Sequence, residues 1–258
     1  MAATDTAPRH ALVTGGGSGI GAAIAQALVA AGMRVTITGR RPEVLQALAA
    51  RYPGQMQAVV ADVTDEAAIA QAFARAKAGF GPVQVLVNNA GQAHSAPFLK
   101  TDAALWQQML SVNLTGTFLC TQAALPDMLA AKWGRIINVA STAGLVGYAY
   151  VAAYVAAKHG VVGLTRALAL EVAKKGITVN AVCPGYTETD ILRESIANVV
   201  AKTGRSVDEA RAEFASGNPQ GRIVQPEEVA DTVLWLSGTG AASVTGQSIA
   251  VSGGEVMH

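Results

Sequence analysis

The chain has 258 residues, a length that suits one large α/β domain better than two small ones. Its hydrophobic content of 51% against 14% charged residues excludes a disordered chain, and a net charge of +1 with dispersed lysines and arginines leaves no basic stripe for a nucleic acid. MAATDTAPRH holds no apolar leader, no apolar run reaches membrane-spanning length, and Cys120 and Cys183 lack Cys-x-x-Cys spacing, so a cytoplasmic protein with reduced packing thiols is expected.

Residues His10–Thr14 make a short apolar run that ends at Gly15, and TGGGSGIG (14–21) then opens an alanine-rich helical pattern to about Ala31. Strand, glycine loop and helix together give the glycines meaning: at a first βα turn, backbone N–H groups and a helix N-terminus face a pyrophosphate. The spacing Gly15-x3-Gly19-x-Gly21 is not the common G-x-G-x-x-G fingerprint, and a P-loop is excluded because no Gly-Lys-Ser/Thr follows. Residues 34–38 alternate as a second strand that ends in Gly39-Arg40-Arg41. At this point in a dinucleotide-binding unit an acid binds the ribose 2′-hydroxyl, whereas an arginine accommodates a 2′-phosphate. Gly39 stands where the acid is expected. The arginines either cap a solvated loop or, as we favour, Arg40 selects NADP(H) over NAD(H).

A third strand spans residues 56–61 and leads into Asp62-Val63, with a helix over 65–77. Asp62 is either a turn cap or, beside a nucleotide, a partner for an adenine amine. A fourth strand (82–87) runs into Asn88-Asn89-Ala90-Gly91, an ordinary turn or a close backbone approach to a cofactor. A long helix over 102–131 carries Asn113 in its interior, a poor helix residue that signals a kink with a purpose.

Residues 136–140 form a buried strand that ends at Ser141, and a glycine-bearing loop leads to a helix opening near Val151. Tyr154 and Lys158 lie four residues apart on that helix and so share a face. Ser141, at the carboxyl end of its strand, stands where open α/β sheets place ligands. A hydroxyl, a phenol and an ammonium therefore converge, and a neighbouring cation is expected to favour the phenolate. That set can move a proton onto or off an alcohol while another group carries hydride.

Residues 177–182 form a strand before Cys183-Pro184-Gly185. Thr187 and Thr189 open a polar, mobile segment running to about Pro219, whose length suits a substrate lid over 186–219. A helix spans Pro226–Ser237 and a last strand 247–251. His10, His94, His159 and His258 have no metal-ligand spacing, and no metal is expected. The alternation implies a single Rossmann-type doubly wound α/β domain over 1–258, its core at 9–254, with a seven-stranded parallel sheet and helices on both faces.

TGGGSGIG, Asp62-Val63, NNAG (88–91), Asn113, Ser141, Tyr154-x-x-x-Lys158 and Pro184-Gly185, in this order and spacing, resemble the short-chain dehydrogenase/reductase family over residues 11–254. The resemblance implies that Tyr154 is the general acid/base, that Ser141 hydrogen-bonds the substrate oxygen, and that Lys158 binds the nicotinamide ribose and lowers the phenol's pKa. Asn113 would hold a water that relays protons to Lys158. Gly15, Ser18, Gly19, Ile20 and Gly21 would surround the pyrophosphate, with Asp62 and Val63 at the adenine. Asn89, Ala90 and Gly91 would lie along the ribose, and Pro184, Gly185, Thr187 and Thr189 at the nicotinamide end.

Within the family, STAG, KHGVVGLTRALALE, GITVNAVCPG and GRIVQPEEVAD look most like 3-oxoacyl thioester reductases and polyketide-type ketoreductases. An NADP(H)-dependent carbonyl reductase of a β-keto substrate, CoA- or acyl-carrier-linked, is the reading this implies. Carrier-dependent relatives have basic residues near the positions of Lys132 and Lys175. An NAD-dependent secondary-alcohol or 3-hydroxyacyl dehydrogenase, and a non-catalytic dinucleotide sensor, are the alternatives. His94, Tyr148, Tyr150 and Tyr186 either line the substrate pocket or are loop residues. The helices at 102–131 and 151–175 would pair in a homotetramer.

Overall fold

A computed structural model describes residues 8–257; the leader reading for residues 1–7 and His258 lie outside the described residues. Seven strands build one sheet: β1 (His10–Thr14), β2 (Arg34–Gly39), β3 (Met56–Val60), β4 (Val85–Asn88), β5 (Gly134–Val139), β6 (Ile177–Pro184) and β7 (Ser248–Val251). All neighbours are parallel, in the order β3-β2-β1-β4-β5-β6-β7. The chain therefore winds outward from β1 in one direction and from β4 in the other. The strand order reverses between these two, and their carboxyl ends open a crevice there.

Strands buried on both faces need apolar side chains in both directions. Val13, Ile37, Val87 and Ile137 point to one side. There they meet Ile24 and Leu28 of α1 (Gly19–Ala30), Leu45 of α2 (Pro42–Ala49), and residues of a helix late in the chain. Leu12, Leu86, Ile136 and Val179 point to the other side, against α3 (Glu66–Phe80) and two longer helices. Cys120 packs in that second layer, where burial pushes its thiol up to about 12, so it behaves as a small inert hydrophobe.

The expected long helix at 102–131 is α4 (Ala103–Leu110), a π-helical stretch (Ser111–Thr115) centred on Asn113, and α5 (Gly116–Ala131). The anticipated kink is thus a π-bulge. α6 (Ala152–Val172) carries Tyr154 and Lys158. It stops short of 175 because a 3₁₀ turn and Gly176, at φ 75°, end it.

Two expectations need correction. α2 was not anticipated; eight residues with Leu45 and Leu48 make too short a pattern to stand out, although Pro42 at its start is a helix signal. The polar segment at 186–219, expected as a mobile substrate lid with no elements assigned, is built on two helices, α7 (Asp190–Thr203) and α8 (Val207–Ser216). Thr189 caps the first, and Ser206 with Glu209 forms a capping box on the second. Leu192 and Ile196, one turn apart, join Ala210 and Ile223 in a small buried cluster. α9 (Pro226–Ser237) closes the first layer with Val229, Val233 and Leu236. Among the described residues no helix is long and apolar enough to cross a membrane, and no three His, Cys, Asp or Glu side chains gather as metal ligands.

At the amino edge of β1, His10 is buried, with Nδ1 2.7 Å from the Gly81 carbonyl and Nε2 2.7 Å from Thr36 Oγ1. A carbonyl only accepts, so Nδ1 carries the proton and Nε2 accepts from Thr36, whose oxygen accepts in turn from Gln57 Nε2 at 2.8 Å. Burial lowers the His10 pKa, helped by the charge of Arg34 and opposed by the Gly81 bond. A lowered folded-state value means stability is complete above the unfolded value of about 6.5 and is lost as pH falls below it. We expect the unfolding free energy of the protein to drop between pH 6.5 and 5. In a His10→Gln variant, equilibrium urea unfolding is expected to give a slope shallower by up to about 1.4 kcal/mol per pH unit.

Candidate active site

A cleft of about 1080 Å³ lies along the carboxyl edge of the sheet, over the point where the strand order reverses. Every residue singled out from the sequence for the cofactor, the chemistry or the substrate lines it, with exposed His94 at its rim. The loops after β1 to β6 all contribute.

At the glycine loop, Gly15 sits at φ 62°, and a Cβ on Gly21 would lie 2.2 Å from the Gly15 carbonyl oxygen. Only glycine lets the start of α1 approach the loop this closely. Asn89 Nδ2 donates to the Thr14 and Gly15 carbonyls at 3.0 and 3.2 Å. Thr14 Oγ1 accepts from the backbone N–H groups of Asn89 and Ala90 at 3.0 and 2.9 Å. The NNAG turn is therefore bolted to the glycine loop. Thr14 was missed as an anchor; its only signal is a hydroxyl at the end of an apolar strand.

At the end of β2, Arg40 and Arg41 are exposed, and Arg41 Nη2 donates to Ser18 Oγ at 2.9 Å. Asp62 lies across from them. Desolvation raises its pKa, but the Thr64 N–H and hydroxyl, with the charge of Arg40, win and hold the carboxyl low. Its Oδ1 accepts from the Thr64 N–H at 2.9 Å, the turn-cap reading, and the residue also lines the cleft.

Beyond the end of β5, Ser141 Oγ accepts from the Ala143 N–H at 3.1 Å. Half-buried Tyr154 lies in the first turn of α6, and buried Lys158 one turn later, its Nζ 5.6 Å from the Tyr154 ring centroid. Lys158 Nζ donates to the Val139 carbonyl at 2.9 Å. Burial pushes the Tyr154 phenol above its ordinary value, against the Ser141 hydroxyl, and pulls Lys158 down to about 8. The direction is opposite to the expectation that the ammonium would bring the phenol down: withdrawing a phenolate from water outweighs the Ser141 hydrogen bond that favours it. Cys183, the residue before Pro184, also borders this group, and burial pushes its thiol up to about 11.

Asn113 is buried, and its side chain acts as a piece of backbone. Its Oδ1 accepts from the Gln92 N–H at 3.2 Å, and its Nδ2 donates to the Gln92 and Met109 carbonyls at 3.0 and 2.9 Å. The Met109 carbonyl faces the π-bulge that follows it, and the Gln92 clamp fixes the segment after NNAG. A Cβ on Gly91 would meet Asn113 Oδ1 at 2.9 Å and Lys158 Nζ at 3.7 Å, so the clamp lies alongside the ammonium.

The substrate half of the cleft has an aromatic wall. Tyr148 and Tyr186 are edge-to-face at 6.4 Å, and Tyr186 and Phe214 at 4.8 Å. Phe214, on α8, was missed because its segment was read as irregular. One face of α7, with Ile191, Ser195, Asn198, Val199 and Lys202, completes the wall opposite. Lys132 and Lys175, by contrast, precede β5 and β6 and so lie at the amino edge, away from the cleft.

A parallel sheet with reversed strand order, a glycine loop at the reversal, and serine, tyrosine and lysine beside it define a dinucleotide-dependent oxidoreductase site. The chain belongs to the short chain dehydrogenase family, whose model matches residues 9–199. It is 40% identical over 260 residues to a D-beta-hydroxybutyrate dehydrogenase of Cupriavidus necator, covering 97% of this chain and 98% of that one. It is 38% identical over 247 residues to a 3-oxoacyl-(acyl-carrier-protein) reductase of Aquifex aeolicus, covering 94% of this chain and 95% of that one. A crystal structure of an actinorhodin polyketide ketoreductase variant with NADPH matches with a TM-score of 0.93 at 42% identity, over 96% of this chain and 97% of that one. The protein is thus an oxidoreductase acting on CH–OH groups.

Removing the Asn113 clamp leaves the Gln92 and Met109 backbone groups without their partners. An Asn113→Ala variant is expected to lose roughly 2–4 kcal/mol in equilibrium urea unfolding.

Proposed function

We propose that the protein is an NADP(H)-dependent reductase of a 3-oxoacyl thioester or a similar β-keto compound. The observation that carries the cofactor choice is the end of β2, where Gly39 stands in the place of an acid and two exposed arginines follow, Arg41 donating to the Ser18 hydroxyl. That donor set fits a phosphate better than a free 2′-hydroxyl, and the glycine loop leaves backbone at the helix N-terminus for a pyrophosphate. The ketoreductase and 3-oxoacyl reductase relatives support the substrate class.

When bound, the nicotinamide supplies the hydride. Tyr154 donates its proton to the substrate oxygen as charge develops there, and its raised pKa keeps that proton in place until it is needed. Ser141 hydrogen-bonds the same oxygen and holds the carbonyl in register. Lys158, fixed by the Val139 carbonyl, stabilises the phenolate left behind and returns its proton. Asn113 positions this end of the cleft and delimits the route by which a water reaches Lys158. The chain works as one domain, with α7 and α8 as the substrate-covering region. Exposed Phe118 and Leu129 on α5 and Leu170 on α6 provide apolar faces for a homotetramer in the cytoplasm. An acyl carrier docked on Lys132 and Lys175 would not face this chain's own cleft, so a free thioester is the simpler substrate.

The name of the Cupriavidus relative supports oxidation of a 3-hydroxy acid as a second reading, for which the alternative cofactor is NAD. Initial rates with NADH and NADPH side by side separate the two. We expect Arg40→Ala to lower kcat/KM for NADPH about 10- to 100-fold, the loss of one charge-assisted phosphate contact, with a much smaller effect on NADH. A preference for NADH that persists in this variant rejects the cofactor assignment. Tyr154→Phe is expected to lower turnover of β-keto esters by at least about 10²-fold, while NADPH binding, followed by its fluorescence, persists. Unchanged turnover in this variant would remove Tyr154 from the chemistry.

A further inference from the structure

Besides Asp190 and Glu194 of α7, which line the cleft directly, a carboxylate behind the lining bears on its substrate half without belonging to the proton or cofactor machinery. Glu255 lies four residues after the end of β7 (Ser248–Val251). Its Oε1 accepts from the Tyr148 hydroxyl at 2.5 Å. The Tyr148 oxygen also lies 2.9 Å from Thr142 Oγ1, one residue beyond Ser141. On its other side, a Cβ placed on Gly185 would stand 2.7 Å from Glu255 Oε2, so the carboxylate directly backs the loop that floors the cleft. Among the described residues no cation pairs with it.

Two consequences follow from that placement. Tyr148 starts the aromatic row that continues through Tyr186 and Phe214, so fixing its hydroxyl fixes the wall at the end nearest Ser141 and Tyr154. Burial raises the pKa of both Tyr148 and Tyr186, and the nearby Glu255 carboxylate raises them further. None of the cations lining the cleft is ion-paired with it: Arg40 and Arg41 lie at the cofactor end, Lys158 is turned to the Val139 carbonyl, and Lys202 is on the last turn of α7, whose Asp190 pairs instead with Arg193.

We propose that Glu255 is a positioning and specificity-determining residue of the substrate half: it holds Tyr148 in the wall and selects neutral β-keto esters and thioesters over β-keto acids with a free carboxylate. This rests on the β-keto reading of the cleft. It deepens that reading by assigning the sign of the substrate's charge to a residue outside the proton-transfer group.

The test measures kcat and KM with NADPH for ethyl 3-oxobutanoate and for 3-oxobutanoate, in the unmodified protein and in Glu255→Gln, Glu255→Ala and Tyr148→Phe. The unmodified protein is expected to favour the ester at least about tenfold in kcat/KM. Glu255→Gln keeps an acceptor for Tyr148 and removes the charge, and should shift the ester-to-acid ratio about tenfold toward the acid through the KM of the acid. Glu255→Ala should shift the ratio similarly and also raise the KM of the ester about fivefold. Tyr148→Phe should raise the KM of the ester without moving the ratio. A ratio unmoved in both Glu255 variants, or an unmodified protein that prefers the acid, overturns the proposal while leaving the β-keto reading intact. Turnover of neither probe by the unmodified protein overturns that reading and this proposal together. A uniform fall in kcat for both probes with KM and the ratio unchanged marks a structural role alone and overturns it as well.

Discussion

The ammonium of Lys158, buried and held 2.9 Å from the carbonyl of Val139, is the contact on which the rest of the site depends. A charge withdrawn from water needs a partner, and here that partner is the last residue of β5 rather than a carboxylate. The bond sets where α6 lies against the strand. It also requires the loop between them to be thin: a Cβ on Gly144 would come within 2.8 Å of the Lys158 carbonyl oxygen. Strand end, serine loop and helix are thereby locked as one unit. Ser141 and Tyr154 reach the same volume because Lys158 cannot move away from it.

Below that unit, a line of amides crosses the centre of the sheet. Asn88 and Asn138 are register partners on β4 and β5, and Asn88 Nδ2 donates to Asn138 Oδ1 at 2.9 Å and to Thr121 Oγ1 at 3.0 Å. Asn138 Nδ2 donates to Thr165 Oγ1 at 2.8 Å. Threonines from α5 and α6 are thus pinned to two adjacent strands by groups that are costly to bury unpaired. An apolar pair at these positions would pack but would leave the helices free to slide along the sheet. The amides trade some hydrophobic burial for a fixed depth, and the cleft above inherits that depth.

Strand and helix alternation, the glycine loop and the Tyr-Lys spacing were legible because each is written in neighbouring residues. Asn113 was legible as an anomaly: a side chain that competes for backbone bonds in mid-helix is now seen replacing backbone bonds across a π-bulge. What escaped the sequence depends on contacts made at a distance. α7 and α8 look polar because their apolar residues cover only a narrow face, closed by Ile223 from a later loop. Glu255 is separated from Tyr148 by 107 residues, and no local pattern joins them. The direction of the Tyr154 shift escaped for another reason. Sequence gives the charge beside a phenol, but only the fold gives how little water reaches it.

That last point bears on how the site works as a whole. Burial moves the phenol up and the ammonium down, each toward its neutral form. With Lys158 near 8 and Tyr154 above its ordinary value, the resting pair at neutral pH is a protonated phenol beside an ammonium that is mostly charged. Losing the phenol's proton to solvent would place an anion in a poorly hydrated pocket. Giving it to an oxygen already gaining charge, with Lys158 poised 5.6 Å from the ring, avoids that cost because the new phenolate faces a fixed cation. On the proposed reading, in which Tyr154 is the acid, this resting state suits protonation of an alkoxide, the step a carbonyl reduction needs. In the oxidative direction the same fold must first discharge the phenol, which calls for higher pH. The geometry serves both directions, and the proposed reduction is the one that starts from the protonated phenol.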